Sequence, residues 1–423
     1  MIKRQSTEIL RKLAACAFAF ALVTSLVPAA AFANPAEPQV QPAEEVTDPV
    51  DPTPGPIADG TIGNCTWSIN GQTGELSIEA PEGEAGTIGP LYTVPWADHA
   101  ADIKFVMFGS GISSEGLLHG LFENCTSLVY VNFSDFDTSQ ATDMSSMFKN
   151  CSALPALNIS GLNTSKAAKM DSMFEGCSAL RELTVSGINT TSATNMQGMF
   201  AGCAALKKLN LAGLTTPAVT NMQGMFAGCE KLESLNLSGF TMTNVTAMKD
   251  MFAGCSSLAT LDLPTLDVEG VMDMSGVFSG CSSLKEANFT SGTNTSGATT
   301  MARMFEGCAA LTTLDLSNFN TANVTDMGNM FASCAALKTL DISGVSTSKV
   351  TSMNSLFAND EALTKITLGA GFAFDKADRR VGCLREAGVR SPLQTPTRML
   401  IRRLRHDKLR RIAIMLLTPT RAR

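Results

Sequence analysis

Thr220–Leu237 reads TNMQGMFAGCEKLESLNL, and the chain writes a version of this stretch ten times. The phenylalanine of each copy falls at Phe122, Phe148, Phe174, Phe200, Phe226, Phe252, Phe278, Phe305, Phe331 and Phe357. Eight of the nine intervals are 26 residues, and the one before Phe305 is 27. A fixed period in this range marks stacked repeats, because a single unit has no second layer against which to bury its apolar side.

Each unit has two halves. In the first, Met222, Met225, Phe226 and Cys229 stand at i, i+3, i+4 and i+7, the spacing of one helical face. The residue before the cysteine is Gly or Asn in nine of ten copies, for example Asn150, Gly202 and Gly228. Both tolerate the left-handed conformation that ends a helix, so the spacing predicts a helix of about two turns. In the second half, Leu232, Leu235 and Leu237 follow, and the last two alternate with the polar Asn236, as in a strand with one buried face. The expected fold is an α/β repeat, a solenoid with a parallel β-sheet on one face, short helices on the other and a small β-rich N-terminal cap.

The L-x-x-L-x-L strand resembles the leucine-rich repeat. The fuller unit, carried by Val245, Thr246, Met248, Met251, Phe252, Gly254, Cys255, Leu258, Leu261, Asp262 and Leu263, is similar to the BspA-like branch of that superfamily. The resemblance covers roughly Ile103 to Phe374. It implies a non-catalytic bacterial surface protein.

Outside the repeats the chain divides by composition. Residues 1–33 read as an export signal, with basic Lys3, Arg4, Arg11 and Lys12, an apolar run from Leu13 to Val27, and the small-x-small site Ala31-Phe32-Ala33. Residues 34–60 form a proline-rich acidic spacer that has too few apolar residues for a core. In 61–111, Trp67, Ile69, Leu76 and Ile78 alternate around Asn70-Gly71, a hairpin signal, and Ile103, Phe105 and Met107 read as a strand leading into the first repeat. An open solenoid end exposes an apolar face and a strand edge, so this region is read as the cap. The repeats take 112–374.

Charge is uneven. Residues 34–374 carry 14 basic and 34 acidic side chains, whereas 375–423 carry 14 basic and four acidic. An acidic body argues against nucleic acid as the partner of the repeats. In the basic tail, Leu409, Ile412, Ala413 and Leu416 fall at helical spacing. A basic amphipathic helix there could touch an anionic envelope, but the abrupt loss of pattern points rather to a disordered or frame-shifted end.

Candidate chemistry is sparse. Cys125, Cys151, Cys177, Cys203, Cys229, Cys255, Cys281, Cys308 and Cys334 hold one slot in nine successive repeats, and Asp360 holds it in the tenth. A zinc site needs four converging ligands, usually with C-x-x-C pairs, and no such pair exists. The reading is a packed structural ladder of thiols, with disulfides between neighbours as the alternative for an exported chain. Paired methionines such as Met170 with Met173 share the phenylalanine face and read as core, not as a copper site. No nucleophile–base pair, phosphate loop or cofactor motif can be assembled around His99, His119 or His406.

That leaves the outward strand positions as the candidate ligand-binding face: Glu182, Thr184, Lys208, Asn210, Ser234, Asn236, Thr260, Asp262, Glu286, Asn288, Thr313 and Asp315. At ~4.8 Å per strand, ten strands offer on the order of 45 Å of surface, enough for a protein partner. The expected function is a secreted or cell-surface protein, not an enzyme and without cofactor, that binds or adheres to host or other extracellular proteins. The alternative is an envelope spacer with no specific ligand.

Overall fold

A computed structural model describes residues 55–262, 268–289, 293–373, 398–403 and 412–417, with 262, 288 and the last two segments described by backbone alone. The chain divides into two units, Met1–Gly55 and Pro56–Arg423. The export signal and most of the 34–60 spacer lie outside the described residues, as does most of the basic tail.

The second unit opens with antiparallel strands β1 (Pro56–Ile62), β2 (Cys65–Asn70) and β3 (Glu75–Glu79). β1 thus begins inside the stretch read as spacer. The β2–β3 register pairs Trp67 with Ile78 and Ile69 with Leu76, and all four side chains are buried. Next come β4 (Gly86–Ile88), a 3-10 turn over Ala97–Asp102, β5 (Phe105–Phe108), β6 (Ile112–Ser114), β7 (Tyr130–Asn132) and β8 (Phe136–Asp137). From β3 the sheet turns parallel, running β3-β5-β7, while β4-β6-β8 stack as a second parallel set. Val106 and Phe108 point inward from β5 and Phe105 and Met107 are only half-buried, one residue out of phase with the alternation expected. Phe108 is held there by stacking on Phe136, with ring centroids 4.3 Å apart.

One short strand per turn follows: β9 (Ala156–Asn158), β10 (Glu182–Thr184), β11 (Lys208–Asn210), β12 (Ser234–Asn236), β13 (Thr260–Asp262), β14 (Glu286–Asn288), β15 (Thr313–Asp315), β16 (Thr339–Ile342) and β17 (Lys365–Leu368). They pair in parallel with like residue on like, Leu157 on Leu183 and Leu209 on Leu235, in the runs β9–β10, β11–β12, β13–β14 and β15–β16–β17. With β5 and β7 this makes a solenoid of eleven turns. The extra turn is headed by Trp96, which stands 26 residues before Phe122 and donates its indole N–H to the Leu121 carbonyl at 3.1 Å.

The short helices are not formed. The first half of every unit is a run of tight turns in which alternate amides bond across to the next turn, while those between them reach back only three residues, as Met225 N–H does to Met222 O and Cys229 N–H to Phe226 O. Phe226 N–H donates to Met251 O at 2.9 Å, Gly228 N–H to Ala253 O at 2.7 Å, and Met222 N–H to Ala247 O at 2.8 Å. The cause is two left-handed residues four apart, which no α-helix accommodates. They are Gly224 (φ 59°) and Gly228 (φ 73°) in one turn, and Ser146 (φ 55°) and Asn150 (φ 62°) in another. Nine parallel bridges link this segment from Leu117 through Asn221 to Ser352, so it forms the longest unbroken ladder in the fold.

The interior is a set of columns. From Phe148 to Phe357 successive rings stack with centroids 5.3–6.1 Å apart. Methionine and leucine columns flank them, buried apart from half-buried strand residues such as Leu183 and Leu235. A threonine column closes the corner: Thr216 Oγ1 donates to Thr241 O and accepts from Thr241 N–H, both at 2.8 Å, and Thr164 does the same with Asn189. Each buried hydroxyl thereby satisfies itself and two backbone groups.

Of the tail, two strands are described, β18 (Arg398–Arg403) antiparallel to β17 and β19 (Ile412–Leu417) antiparallel to β18. The helix, the less favoured reading of this tail, is not formed over Ile412–Leu417. IAIMLL is a continuous apolar run with β-branched residues, which suits a strand better than one face of a helix.

Candidate interaction surface

The short strands fix what faces outward. In β11 the central Leu209 is buried and both neighbours are exposed, and β15 repeats this around Leu314. The structure places Glu182, Thr184, Lys208, Asn210, Ser234, Asn236, Thr260, Glu286, Thr313 and Asp315 exposed, with Asp262 and Asn288 at the equivalent backbone positions. Registers put Lys208 beside Ser234 and Thr260 beside Glu286.

These positions differ in how free they are to bind. The residue after the central strand position is Asn, Asp or Thr in the ten copies, and the side chains of Asn132, Asn158, Asn210, Asn236, Asp315 and Asp341 serve the backbone. Asn210, Asn236 and Asp315 accept the amide two residues on, at 3.2, 3.1 and 2.9 Å, which turns the chain out of the strand. The two residues before the buried strand position vary from turn to turn, and their backbones are stitched between turns, Glu233 N–H to Lys207 O and Lys285 N–H to Ala259 O. Between side chains here, Lys207 and Glu233 lie 3.8 Å apart, an exposed pair of little energetic weight.

The cysteine ladder lies behind this surface. All nine thiols are free and buried. From Cys151 onward each donates to the phenylalanine carbonyl of the preceding turn, as Cys203 does to Phe174 at 3.2 Å. Burial pushes the Cys177 and Cys281 thiols up to about 12, so they stay protonated and unreactive.

One polar cluster was not expected from the sequence. On the turn segment, the Ser145 hydroxyl donates to Asp143 and accepts from His119 Nδ1 at 2.8 Å, and Asp143 pairs with Lys169 at 3.1 Å. Burial would raise the Asp143 carboxyl, but the hydrogen bonds from Ser145 and Lys169 and the Lys169 charge outweigh it and hold it below the usual range. The serine sits between carboxylate and imidazole and is itself buried, so it is not a histidine-activated nucleophile. Over β6 and β8 lies a depression of about 430 Å³ whose titratable lining is Asp135 and Asp137. Among the described residues no group of three or more His, Cys, Asp or Glu is placed to hold a metal ion, and no helix is long and apolar enough to cross a membrane.

Three segments, 117–212, 181–291 and 287–368, match one family, described as "Mycoplasma protein of unknown function, DUF285". Together they span more than half of the chain. The chain belongs to the DUF285 family. No curated protein matches this DUF285 chain. Among solved structures, a leucine-rich repeat protein from Eubacterium ventriosum aligns at 12% identity over 76% of this chain and 98% of its own, with a TM-score of 0.30. A leucine-rich repeat protein of T. pallidum aligns at 16% identity over 48% and 91%, with a TM-score of 0.26. The Toll–Spatzle complex of Drosophila aligns at 13% identity over 72% and 51%, with a TM-score of 0.24. Superpositions this loose decide nothing about the DUF285 chain. Its own geometry, one parallel strand per turn backed by the leucines of L-x-x-L-x-L, is what makes the solenoid leucine-rich-repeat-like.

Proposed function

We propose that this DUF285 protein is a BspA-like, exported, non-catalytic protein of the bacterial surface or surroundings, and that its strand face binds extracellular proteins of a host or a neighbouring cell. The observation that carries the reading is the split within each strand. The buried leucine and the terminal Asn or Asp recur because the turn needs them, while the exposed pair before the leucine changes from Arg181-Glu182 to Lys207-Lys208 to Glu233-Ser234. A rigid scaffold that presents variable side chains in fixed register suits recognition of another macromolecule. The basic, then apolar, start of the sequence supports export.

Solid-phase binding to extracellular-matrix proteins and mucins tests this. Saturable binding at micromolar concentration, lost when Lys208 and Glu286 are both changed to Ala, is expected. If no matrix protein or mucin binds saturably, the chain is better read as an envelope spacer.

A further inference from the structure

The variable pair of columns has a charge opposite to that of the body it stands on. Residues 61–374 carry 14 basic and 28 acidic side chains. The two positions before the buried strand residue, taken over eleven turns, hold seven of those basic residues: Lys104, Arg181, Lys207, Lys208, Lys285, Lys338 and Lys365. They hold only three of the acidic ones, Glu182, Glu233 and Glu286. The rest of the same region is left with seven basic against 25 acidic. Six of the seven cations are exposed and Lys365 is half-buried. Of these seven, only Lys207 has an ion-pair partner among the described residues, Glu233. Asp315 and Asp341 border the strip, but each has an oxygen committed to the backbone amide of Ser317 or Ser343.

We infer that this basic strip is the partner-binding site of the solenoid and that it takes an extended acidic polypeptide segment. The inference rests on the protein-binding reading above and names the chemistry of the partner. Ten steps of ~4.8 Å separate Lys104 from Lys365, a line of about 48 Å that an extended peptide of about 14 residues would cover. Cations carried on a rigid ladder need no ordering of the solenoid backbone on binding, unlike cations on a loop. The strongly acidic remainder repels a polyanion everywhere except along this line, so the charge pattern sets orientation as well as attraction. A flexible acidic chain fits the strip better than a duplex or a flat anionic membrane, because the basic residues form a line and are flanked by Asp315 and Asp341.

The test is fluorescence anisotropy of a labelled peptide of alternating Glu and Ser with the whole mature chain, at about 20 mM and about 200 mM salt. A Lys-Ser peptide, a sulfated oligosaccharide and a single-stranded oligonucleotide serve as competing probes. The Glu-Ser peptide is expected to bind and the Lys-Ser peptide not to. Binding should weaken at least about tenfold with salt and about tenfold in Lys208→Glu/Lys338→Glu. Lys249→Glu/Lys349→Glu, the same change of net charge made off the strip, should stay within about twofold. Equal losses in the two double variants, or binding of the oligosaccharide or oligonucleotide in place of the peptide, would overturn the assignment. If the peptide fails while matrix-protein capture still depends on the strand face, the charge assignment falls and the protein-binding reading stands. If capture is unchanged in the strip variant, both fall.

Discussion

Cys229 Sγ lies 3.1 Å from the carbonyl oxygen of Phe200, in the turn before its own. The same bond recurs at 3.1–3.2 Å from Cys151 to Cys334, so each thiol ties two turns together while filling the column. Burial pushes the Cys229 thiol up to about 12 from an ordinary value of 9.0. Below pH 9 the thiol is protonated folded and unfolded, and its contribution is intact. Between 9 and 12 only the unfolded chain releases the proton, so stability falls as pH rises, by about 1.4 kcal/mol per pH unit for each such thiol. Urea unfolding across this range should show the decline, and Cys229→Ser should make it shallower. Identical slopes in the two proteins would remove the thiol from the explanation.

Asp360 takes the cysteine slot in the last turn, and its Oδ1 accepts Cys334 N–H at 2.8 Å. Its Oδ2 is buried without a partner, and burial raises the carboxyl from 3.8 to about 7. A raised acid is tolerated while protonated, so the last turn is most stable at low pH and loosens as pH climbs from about 4 through 7. Asp360→Cys should therefore stabilise the turn more at pH 8 than at pH 5, by roughly 2–3 kcal/mol. Hydrogen exchange over 340–370 reads this directly. A gap independent of pH would mean the carboxyl is ionised in the fold at both values.

Phe226 stacks between Phe200 and Phe252, with centroids 5.5 and 5.4 Å away. Stability in such an array is the sum of each turn and its interfaces, so damage should spread to neighbours. Phe226→Asp places a charge in a site with no partner and is expected to strip amide protection from the turns of Phe200 and Phe252 as well as its own. Phe226→Ala, at a cost of about 3–5 kcal/mol, should do so more mildly. Protection lost from a single turn in both variants would show that the turns are not coupled.

Much of this was legible in the spacing. The 26-residue period placed the strands and their inward leucines, since neither depends on anything beyond a two-residue alternation. The eleventh turn was hidden because Trp96 replaces phenylalanine and only the strand half, Ile103-x-x-Val106-x-Phe108, follows the unit. The missing helix is a different failure. Met222, Met225, Phe226 and Cys229 do share one buried face, but a chain of turns bonded to its neighbour delivers the same face, and apolar spacing alone does not separate the two. Gly224 and Gly228 did separate them. Two residues that favour positive φ, four apart, cannot both cap one two-turn helix. The outward face was legible in position, whereas its division into backbone-serving Asn and Asp and freely varying neighbours needed the hydrogen bonds.

That geometry makes the glycines a sharp test. Inside the expected helix, Gly224→Ala would stabilise by up to about 1 kcal/mol, because glycine is the poorer helix former. Here Gly224 has φ 59°, and an added Cβ would lie 3.8 Å from Ala227 Cβ. The space is ordinary contact, so the cost is backbone strain, and Gly224→Ala should destabilise by about 1–2 kcal/mol. Gly224→Asn should cost less, since Asn329 already occupies the equivalent position at φ 55°. Thermal unfolding of the two variants against the parent gives the order. Alanine above asparagine would restore the helix and with it the pattern of intra-turn bonds that the inter-turn ladder replaces.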